Sequence, residues 1–85
     1  MTKDQILELT IDNIVKTLPG LLPETITPDK GLRQLGANSI DRMDIVTMTA
    51  ETLGLRIPMA ELAGAESVGA LIELLYSRIN GQPDN

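Results

Sequence analysis

The chain has 85 residues, with 12 acidic and 7 basic side chains, and its formal net charge at pH 7 is −5. This length predicts one small domain, near the lower limit at which a hydrophobic core is stable alone. The absence of histidine and cysteine excludes a Ser-His-Asp triad, a disulfide framework and a histidine or cysteine metal site. The acidic charge argues against nucleic-acid binding and favours basic protein partners.

The start of the chain, MTKDQILELT, lacks the charged and apolar regions of a signal peptide. No apolar run approaches the roughly 18 residues of a membrane span. These two features favour a cytoplasmic protein that does not enter a membrane.

The pattern of residues 3–18 predicts the first helix. Thr2 is a suitable N-cap, and Gln5 has the spacing of a capping box. An apolar stripe recurs at steps of three and four residues, as expected for a helix with one buried face; it consists of Leu7, Ile11, Ile14, Val15 and Leu18. Pro19 and Gly20 end the helix.

Residues 19–37 form a long predicted connection, kept extended or turned by Pro23 and Pro28. Its apolar residues are expected to pack across the core; they are Leu21, Leu22, Ile26, Leu32 and Leu35. A structureless connection of this length is unusual in a compact domain. We therefore expect one short turn of helix within PDKGLRQLG, residues 28–36.

Three further helices follow in the sequence. Asn38 is a strong N-cap for a helix over residues 39–53, and Gly54 occupies the usual stop position. Ile57 and Pro58 open a short third helix that Gly64 closes. Ser67 caps a fourth helix, whose predicted buried residues are Val68, Leu71, Ile72, Leu75 and Ile79. The prediction is an all-α, small four-helix bundle over residues 1–80, with a flexible tail over 81–85.

The second predicted helix carries apolar residues on two faces. Ile45, Val46, Thr49 and Leu53 fit an inward stripe, whereas Ile40, Met43 and Thr47 fall on a different face. That face could dock a partner protein, with Asp41, Asp44 and Glu51 around it. It could equally be core in a well-buried helix, and periodicity alone does not separate the two.

Ser39 follows the cap of this helix, where backbone N–H groups and the helix dipole favour a bound or attached phosphate. Ser39 could also be no more than a good helix-start residue. A nucleophilic role requires an activating base, and the chain has no histidine. The acids also lack the spacing of a calcium loop, and the glycines lack that of a phosphate-binding loop. We therefore expect no metal site and no enzymatic activity.

The segment LGANSID, residues 35–41, resembles the Leu-Gly-x-Asp-Ser-Leu-Asp motif of acyl carrier proteins. The resemblance continues in LGLRIP, residues 53–58, and in SVGAL, residues 67–71, and so covers essentially the whole chain. It implies an acyl-carrier-protein-like fold with 4′-phosphopantetheine, taken from coenzyme A, attached covalently to Ser39. It also implies that partner enzymes dock at Ile40, Asp41, Arg42, Met43, Asp44 and Thr47.

Two residues depart from the family motif. Asn38 replaces the usual Asp, which keeps the helix cap but removes a negative charge beside the attachment site. Arg42 places a positive charge among the acids of the second helix. Because long helical side chains lean toward the N-terminus, Arg42 could reach a phosphate on Ser39. Alternatively, it pairs with a nearby acid or stays solvated.

GANSIDRMDIV, residues 36–46, together with LRIP, residues 55–58, most resembles the free-standing donor carriers of polyketide β-branching cassettes. The implied cargo is an acetyl thioester passed to a 3-hydroxy-3-methylglutaryl (HMG) synthase-like enzyme. The implied partners include a phosphopantetheinyl transferase and an acyltransferase or ketosynthase-like decarboxylase, with the carrier expected to be a monomer. A fatty-acid or peptidyl carrier and an unmodified helical interaction module remain open alternatives.

Overall fold

The computed structural model describes residues 1–81 and contains four α-helices and one short 3-10 helix. The α-helices are α1 (Lys3–Thr17), α2 (Ser39–Thr52), α3 (Met59–Ala63) and α4 (Val68–Ile79), and the 3-10 helix is Pro23–Thr25. Within these 81 residues, the one pairing of strand type is an isolated bridge between Gly31 and Ser67. The predicted all-α bundle with a short third helix is confirmed. Of the predicted tail over 81–85, only Gly81 lies within the described residues.

Helix α1 begins at the predicted N-cap. The Thr2 hydroxyl accepts a 3.1 Å hydrogen bond from the Gln5 backbone N–H, and the Gln5 side chain accepts one of 2.8 Å from the Thr2 backbone N–H. This capping box satisfies two backbone donors at the helix start. The helix ends at Thr17, one residue before the predicted end, and Leu18 is its C-cap.

The inward face of α1 differs from the predicted apolar stripe. The buried residues are Ile6, Thr10, Asn13 and Ile14. The predicted residues that are only partly buried are Leu7, Ile11, Val15 and Leu18. The predicted stripe does face the core, since Ile14 is fully buried and the other four residues pack against the core. The prediction missed Ile6 and the two polar residues. Thr10 donates to the Ile6 carbonyl at 2.7 Å and Asn13 donates to the Thr49 hydroxyl at 3.1 Å, and these bonds make the burial of polar side chains tolerable.

The connection between α1 and α2 crosses the core as predicted, with two differences. Ile26 and Leu32 are buried, but Leu22 is 60% exposed, so the prediction that it packs on the core was wrong. The 3-10 helix lies at Pro23–Thr25, before the segment 28–36 where a helical turn was expected. Within that segment the Leu35 N–H bonds to the Gly31 carbonyl at 3.2 Å and the Gly36 N–H to the Arg33 carbonyl at 3.0 Å. One helix-like turn is therefore present, although it does not extend into a helix.

Backbone hydrogen bonds hold this connection against the start of α4. The N–H of Leu32 donates to the Glu66 carbonyl at 3.1 Å, and the N–H of Val68 donates to the Lys30 carbonyl at 3.0 Å. The Gly69 N–H donates to the Pro28 carbonyl at 2.8 Å. These bonds satisfy backbone groups of a connection that has little regular structure of its own, and they hold residues 28–32 against the start of α4.

The core is aliphatic, as the composition predicts. The large side chains with less than 2% exposure include Ile6, Ile14, Leu32, Ile45, Leu71 and Leu75. Burying a side chain of this size contributes about 1.5–3 kcal/mol relative to leaving it in water. Hydrophobic burial therefore dominates the stability of the bundle.

Two ion pairs lie on the surface of α4. The Lys3 ammonium is 2.8 Å from the Glu73 carboxylate and 5.1 Å from the centroid of the Tyr76 ring. The hydrogen bond to Glu73 raises the pKa of Lys3 above its ordinary value. Arg78 pairs with Glu61 and so joins α4 to α3. No helix within residues 1–81 is both long and apolar enough to cross a membrane.

Candidate functional site

The start of α2 is fixed by a second capping box. The Asn38 side chain accepts a 2.8 Å hydrogen bond from the Asp41 N–H, and the Asp41 carboxylate accepts one of 3.2 Å from the Asn38 N–H. Gly36 has a φ of +100°, a conformation that glycine adopts without strain. It turns the chain from the connection into the helix. The predicted cap at Asn38 is confirmed, and Ser39 is the first helical residue.

Ser39 is exposed at the positive end of a helix of 14 residues. Its hydroxyl makes no hydrogen bond to any residue in the described range 1–81. The chain contains no histidine to act as its base. An exposed hydroxyl in this position can accept a phosphate ester, whose charge the helix dipole favours. It is poorly equipped to be a catalytic nucleophile.

Helix α2 turns a mixed face to the core. Its buried residues are Ile45, Val46, Thr49 and Ala50. Three of these match the predicted inward stripe, whereas the predicted Leu53 is the C-cap and is only partly buried. Sequence reasoning missed Ala50 because a small residue adds little to an apolar pattern.

The residues on the outer face of α2 differ in burial, which periodicity alone could not predict. Ile40 is 72% exposed, more than the other exposed large apolar side chains among residues 1–81, which are Leu22 at 60%, Met59 at 55% and Met1 at 54%. Met43 is partly buried and packs against the core. Thr47 lies half-buried between two grooves. Ile40 is therefore a surface residue, and Met43 is shared between surface and core; docking at this face stays a prediction.

An acidic groove of about 450 Å³ runs along one side of α2. Asp41, Asp44 and Glu51 line it together with Thr47. Asp44 and Glu51 are exposed, and Asp41 is half-buried. These carboxylates can attract a basic partner surface at a distance. In the described part of the chain, no three acidic side chains are grouped so that they could hold a metal ion.

A second groove lies on the other side of α2 from the acidic groove and has a volume of about 290 Å³. Ser39 lines it, and we call it the serine groove. Its apolar lining includes Leu32, Val46 and Leu62, and its polar lining includes Ser39, Arg33, Arg42 and Glu66. Sequence reasoning found Ser39 and Arg42 but missed Arg33 and Glu66. Their proximity depends on the backbone pairing of Leu32 with Glu66, for which the sequence has no local signal.

A third groove of about 430 Å³ lies between α2 and α3. Leu55, Ile57, Met59 and Leu62 give it an apolar lining, and Met59 is 55% exposed. The sequence contains a signal for this surface, because Leu55, Ile57 and Met59 occupy alternate positions. The prediction used Ile57 and Pro58 only as the start of a helix and therefore did not include this apolar surface.

The family model described as the phosphopantetheine attachment site matches residues 10–75. This match spans more than half of the chain and includes Ser39 and all of α2. The chain therefore belongs to the phosphopantetheine-attachment family. Acyl carrier proteins of this family carry 4′-phosphopantetheine covalently, and the exposed, unpartnered Ser39 hydroxyl at a helix N-terminus fits attachment of such a group.

Two relatives are themselves acyl carriers. The chain is 43% identical over 79 residues to the polyketide biosynthesis acyl-carrier-protein AcpK of Bacillus subtilis (strain 168), covering 93% of this chain and 96% of that protein. It is 32% identical over 75 residues to the acyl carrier protein of Saccharopolyspora erythraea, covering 87% and 78% of the two chains. The predicted resemblance to acyl carrier proteins is confirmed.

A solved structure has the same fold. It is a chain in the crystal structure of the curacin biosynthetic pathway HMG synthase in complex with acetyl donor-ACP. The TM-score is 0.80 at 35% identity, and the match covers 92% of this chain and 99% of that chain. Because both shares are high, the two chains have nearly the same length. The predicted acyl-carrier-protein-like fold is confirmed.

Proposed function

We propose that this acyl carrier delivers an acetyl thioester to an HMG-synthase-like enzyme in polyketide β-branching. The observation that carries the proposal is the near full-length likeness to a chain of the HMG synthase complex with acetyl donor-ACP. A chain of this length in that complex corresponds to the carrier. The 43% identity to the polyketide carrier AcpK supports the same class of pathway.

Ser39 is the proposed attachment site. A phosphopantetheinyl transferase would join the Ser39 oxygen to the phosphorus of the phosphopantetheine half of coenzyme A, with loss of the hydroxyl proton and release of the nucleotide half. The exposure of Ser39 gives the transferase access. Because the chain has no histidine, the proton acceptor would belong to the transferase. The attached arm supplies a thiol, which this cysteine-free chain lacks, for holding the acyl group.

The packing of the bundle favours a short cargo. The centre is filled by Ile6, Ile14, Ile45, Leu71 and Leu75, each without exposure. A long acyl chain could enter only by separating these side chains, at a cost in packing. An acetyl group can remain outside on the arm. We propose that it arises when a ketosynthase-like partner decarboxylates a malonyl unit, or that an acyltransferase loads it directly.

The proposed docking surface is the exposed face at the start of α2. Ile40 supplies an apolar contact at 72% exposure, and Met43 beside it is a flexible side chain that suits several partners. The charged or polar members of this surface are Asp41, Arg42, Asp44 and Thr47. The carboxylates would steer basic partner surfaces toward the arm, with an effect that salt weakens.

Intact mass after co-expression with a broad-specificity phosphopantetheinyl transferase tests the carrier assignment. We expect one phosphopantetheine adduct on the peptide that contains Ser39, and we expect Ser39→Ala to abolish it. A matched control is Ser67→Ala, which removes the hydroxyl that caps α4 and should leave the adduct in place. An adduct that survives Ser39→Ala, or an unmodified wild-type chain as expected for an interaction module, contradicts the proposal.

Competition among acetyl, longer acyl and aminoacyl forms of the loaded carrier tests the donor role. Each form is offered to an HMG-synthase-like enzyme, and acyl transfer is followed by mass. We expect transfer from the acetyl form alone. Transfer of longer acyl or aminoacyl groups at the same rate would remove the β-branching assignment and leave the carrier assignment intact.

A further inference from the structure

Two arginines from different parts of the chain share the serine groove. Arg33 comes from the connection before α2, and Arg42 comes from the first turn of α2. They also line together an adjoining groove of about 210 Å³, with Gly31, Gln34 and Glu66. Both arginines therefore line the groove that Ser39 also lines.

Neither arginine is neutralised by the protein itself. Although the chain has 12 acidic and 7 basic residues, neither Arg33 nor Arg42 forms an ion pair with an acid among residues 1–81. The pairing of Arg42 with a nearby acid, one of the alternatives left open by the sequence, is therefore absent from this part of the chain. Glu66 is the one acid that lines the serine groove. The groove thus has a local excess of positive charge in a protein whose net charge is −5.

We propose that Arg33 and Arg42 bind the phosphodiester that links the arm to Ser39 and so direct the arm into the serine groove. This inference rests on the proposed function and adds positioning residues for the arm. Ser39 and Arg42 are three residues apart on one helix, which places their Cβ atoms about 5–6 Å apart on the same face. Because long helical side chains lean toward the helix N-terminus, Arg42 is expected to reach toward the phosphate on Ser39.

Guanidinium groups suit a phosphodiester because they donate paired N–H groups to two of its oxygens. The first N–H groups of α2 add a favourable dipole at the same point. On the other side of the helix, Asp41, Asp44 and Glu51 repel the phosphate. The phosphodiester is thus attracted to one groove and repelled from the other.

The serine groove also suits the part of the arm beyond the phosphate. Leu32, Val46 and Leu62 form its buried floor, and the half-buried Met43 and the exposed Ala63 offer apolar contact to the methyl groups of pantetheine. Glu66 opposes the two arginines and limits how tightly the phosphodiester is held. An arm held in this way can leave the groove when a partner enzyme binds it, as a carrier requires.

Phosphorus-31 NMR of the carrier with phosphopantetheine fully attached and no acyl group, without any partner enzyme, tests this inference. The chemical shift of the phosphodiester is followed from about 0.01 M to about 1 M NaCl, over which the Debye length falls from about 30 Å to about 3 Å. We expect the wild-type resonance to move as salt weakens the contacts with the arginines. The double variant Arg33→Gln/Arg42→Gln should lose this movement, and Glu66→Gln should shift its midpoint to higher salt.

Arg56→Gln is the control, because it removes an arginine charge from the groove between α2 and α3 and leaves the serine groove unchanged. It should behave like the wild type. A wild-type salt response in the double variant, or an equal loss in Arg56→Gln, overturns the inference. Amide spectra establish that each variant is folded, and intact mass establishes that each carries the arm. If no variant, including the wild type, is modified at Ser39, the proposed function fails and this inference fails with it.

Discussion

The side-chain amide of Asn13 donates a 3.1 Å hydrogen bond to the hydroxyl of Thr49 inside the core, joining α1 to α2. Asn13 is 2% exposed and Thr49 is fully buried. The Thr49 hydroxyl in turn donates to the Ile45 carbonyl at 2.7 Å. This relay fixes the axial position of α2 against α1, and the first residue of α2 is Ser39.

Thr49→Val should destabilise the protein by about 1–3 kcal/mol, because it leaves the buried Asn13 amide without its partner. The double variant Asn13→Leu/Thr49→Val should lose less free energy of unfolding than the two single variants lose together, since the pair is then replaced by apolar groups. Urea denaturation of the two single variants and the double variant measures these energies.

Thr52→Val is the control for this cycle. The Thr52 hydroxyl donates to the Met48 carbonyl at 2.7 Å on the same helix but is exposed to solvent. Its replacement should change the free energy of unfolding by no more than about 0.5 kcal/mol. If Thr49→Val and Thr52→Val are equally mild, the buried hydrogen bond does not contribute as stated.

These two linked hydrogen bonds are a part of the fold that the sequence did not predict. The ends of α1 and the bundle class follow from local signals, namely the Thr2 and Gln5 cap and the break at Pro19. The burial of Asn13 on the inward face of α1 does not, because its side-chain amide bonds to a partner 36 positions away. A polar residue with such a partner is indistinguishable in the sequence from one that faces solvent.

Asn38→Ala should destabilise the protein by about 1 kcal/mol, because it removes the side-chain acceptor for the Asp41 N–H at the start of α2. Asn38→Asp should have nearly the wild-type stability, since aspartate caps a helix as well as asparagine does. Both are measured by urea denaturation. Equal stability of all three proteins would show that the cap does not hold the start of α2.

The candidate site was predicted from the sequence to different extents in its two halves. Asn38 and Ser39 belong to one helix start, and short-range capping rules place them correctly. The exposure of Ile40 was left open by the sequence. Arg33 and Glu66 reach the serine groove through the backbone bond between Leu32 and Glu66. That bond joins two irregular segments, and neither periodicity nor turn chemistry predicts it.

Gly69→Ala should destabilise the protein by about 1–3 kcal/mol through steric overlap. A Cβ atom at Gly69 would lie 2.9 Å from the Pro28 carbonyl oxygen, a backbone atom that the Gly69 N–H already binds at 2.8 Å. The connection would have to move away from α4 to make room. Thermal unfolding measures the loss.

Gly20→Ala provides the comparison for Gly69. A Cβ at Gly20 meets no atom within 4 Å, and Gly20 does not have a positive φ. Its replacement should not lower the free energy of unfolding by more than about 0.5 kcal/mol. A Gly69→Ala protein as stable as Gly20→Ala would mean that the contact between Pro28 and α4 is not tight in solution.

Ile40→Ala should leave the fold intact and impair acyl transfer. Ile40 is 72% exposed, so its truncation should change the free energy of unfolding by no more than about 0.5 kcal/mol. If it anchors a partner enzyme, losing about 1–2 kcal/mol of binding lowers kcat/KM for transfer roughly 5- to 30-fold. Met43→Ala should reduce both transfer and stability, because Met43 also packs against the core.

Leu22→Ala is the matched control for Ile40→Ala, since Leu22 is 60% exposed and lies in the connection outside the proposed docking surface. It removes a similar apolar side chain from the surface and should leave transfer unchanged. Equal transfer by the Ile40 and Leu22 variants would exclude Ile40 from docking. A large drop in melting temperature for Met43→Ala with normal transfer would assign Met43 to the core alone. The combination of a stable, transfer-deficient Ile40→Ala and a normal Leu22→Ala is expected only if the start of α2 is the surface that partner enzymes recognise.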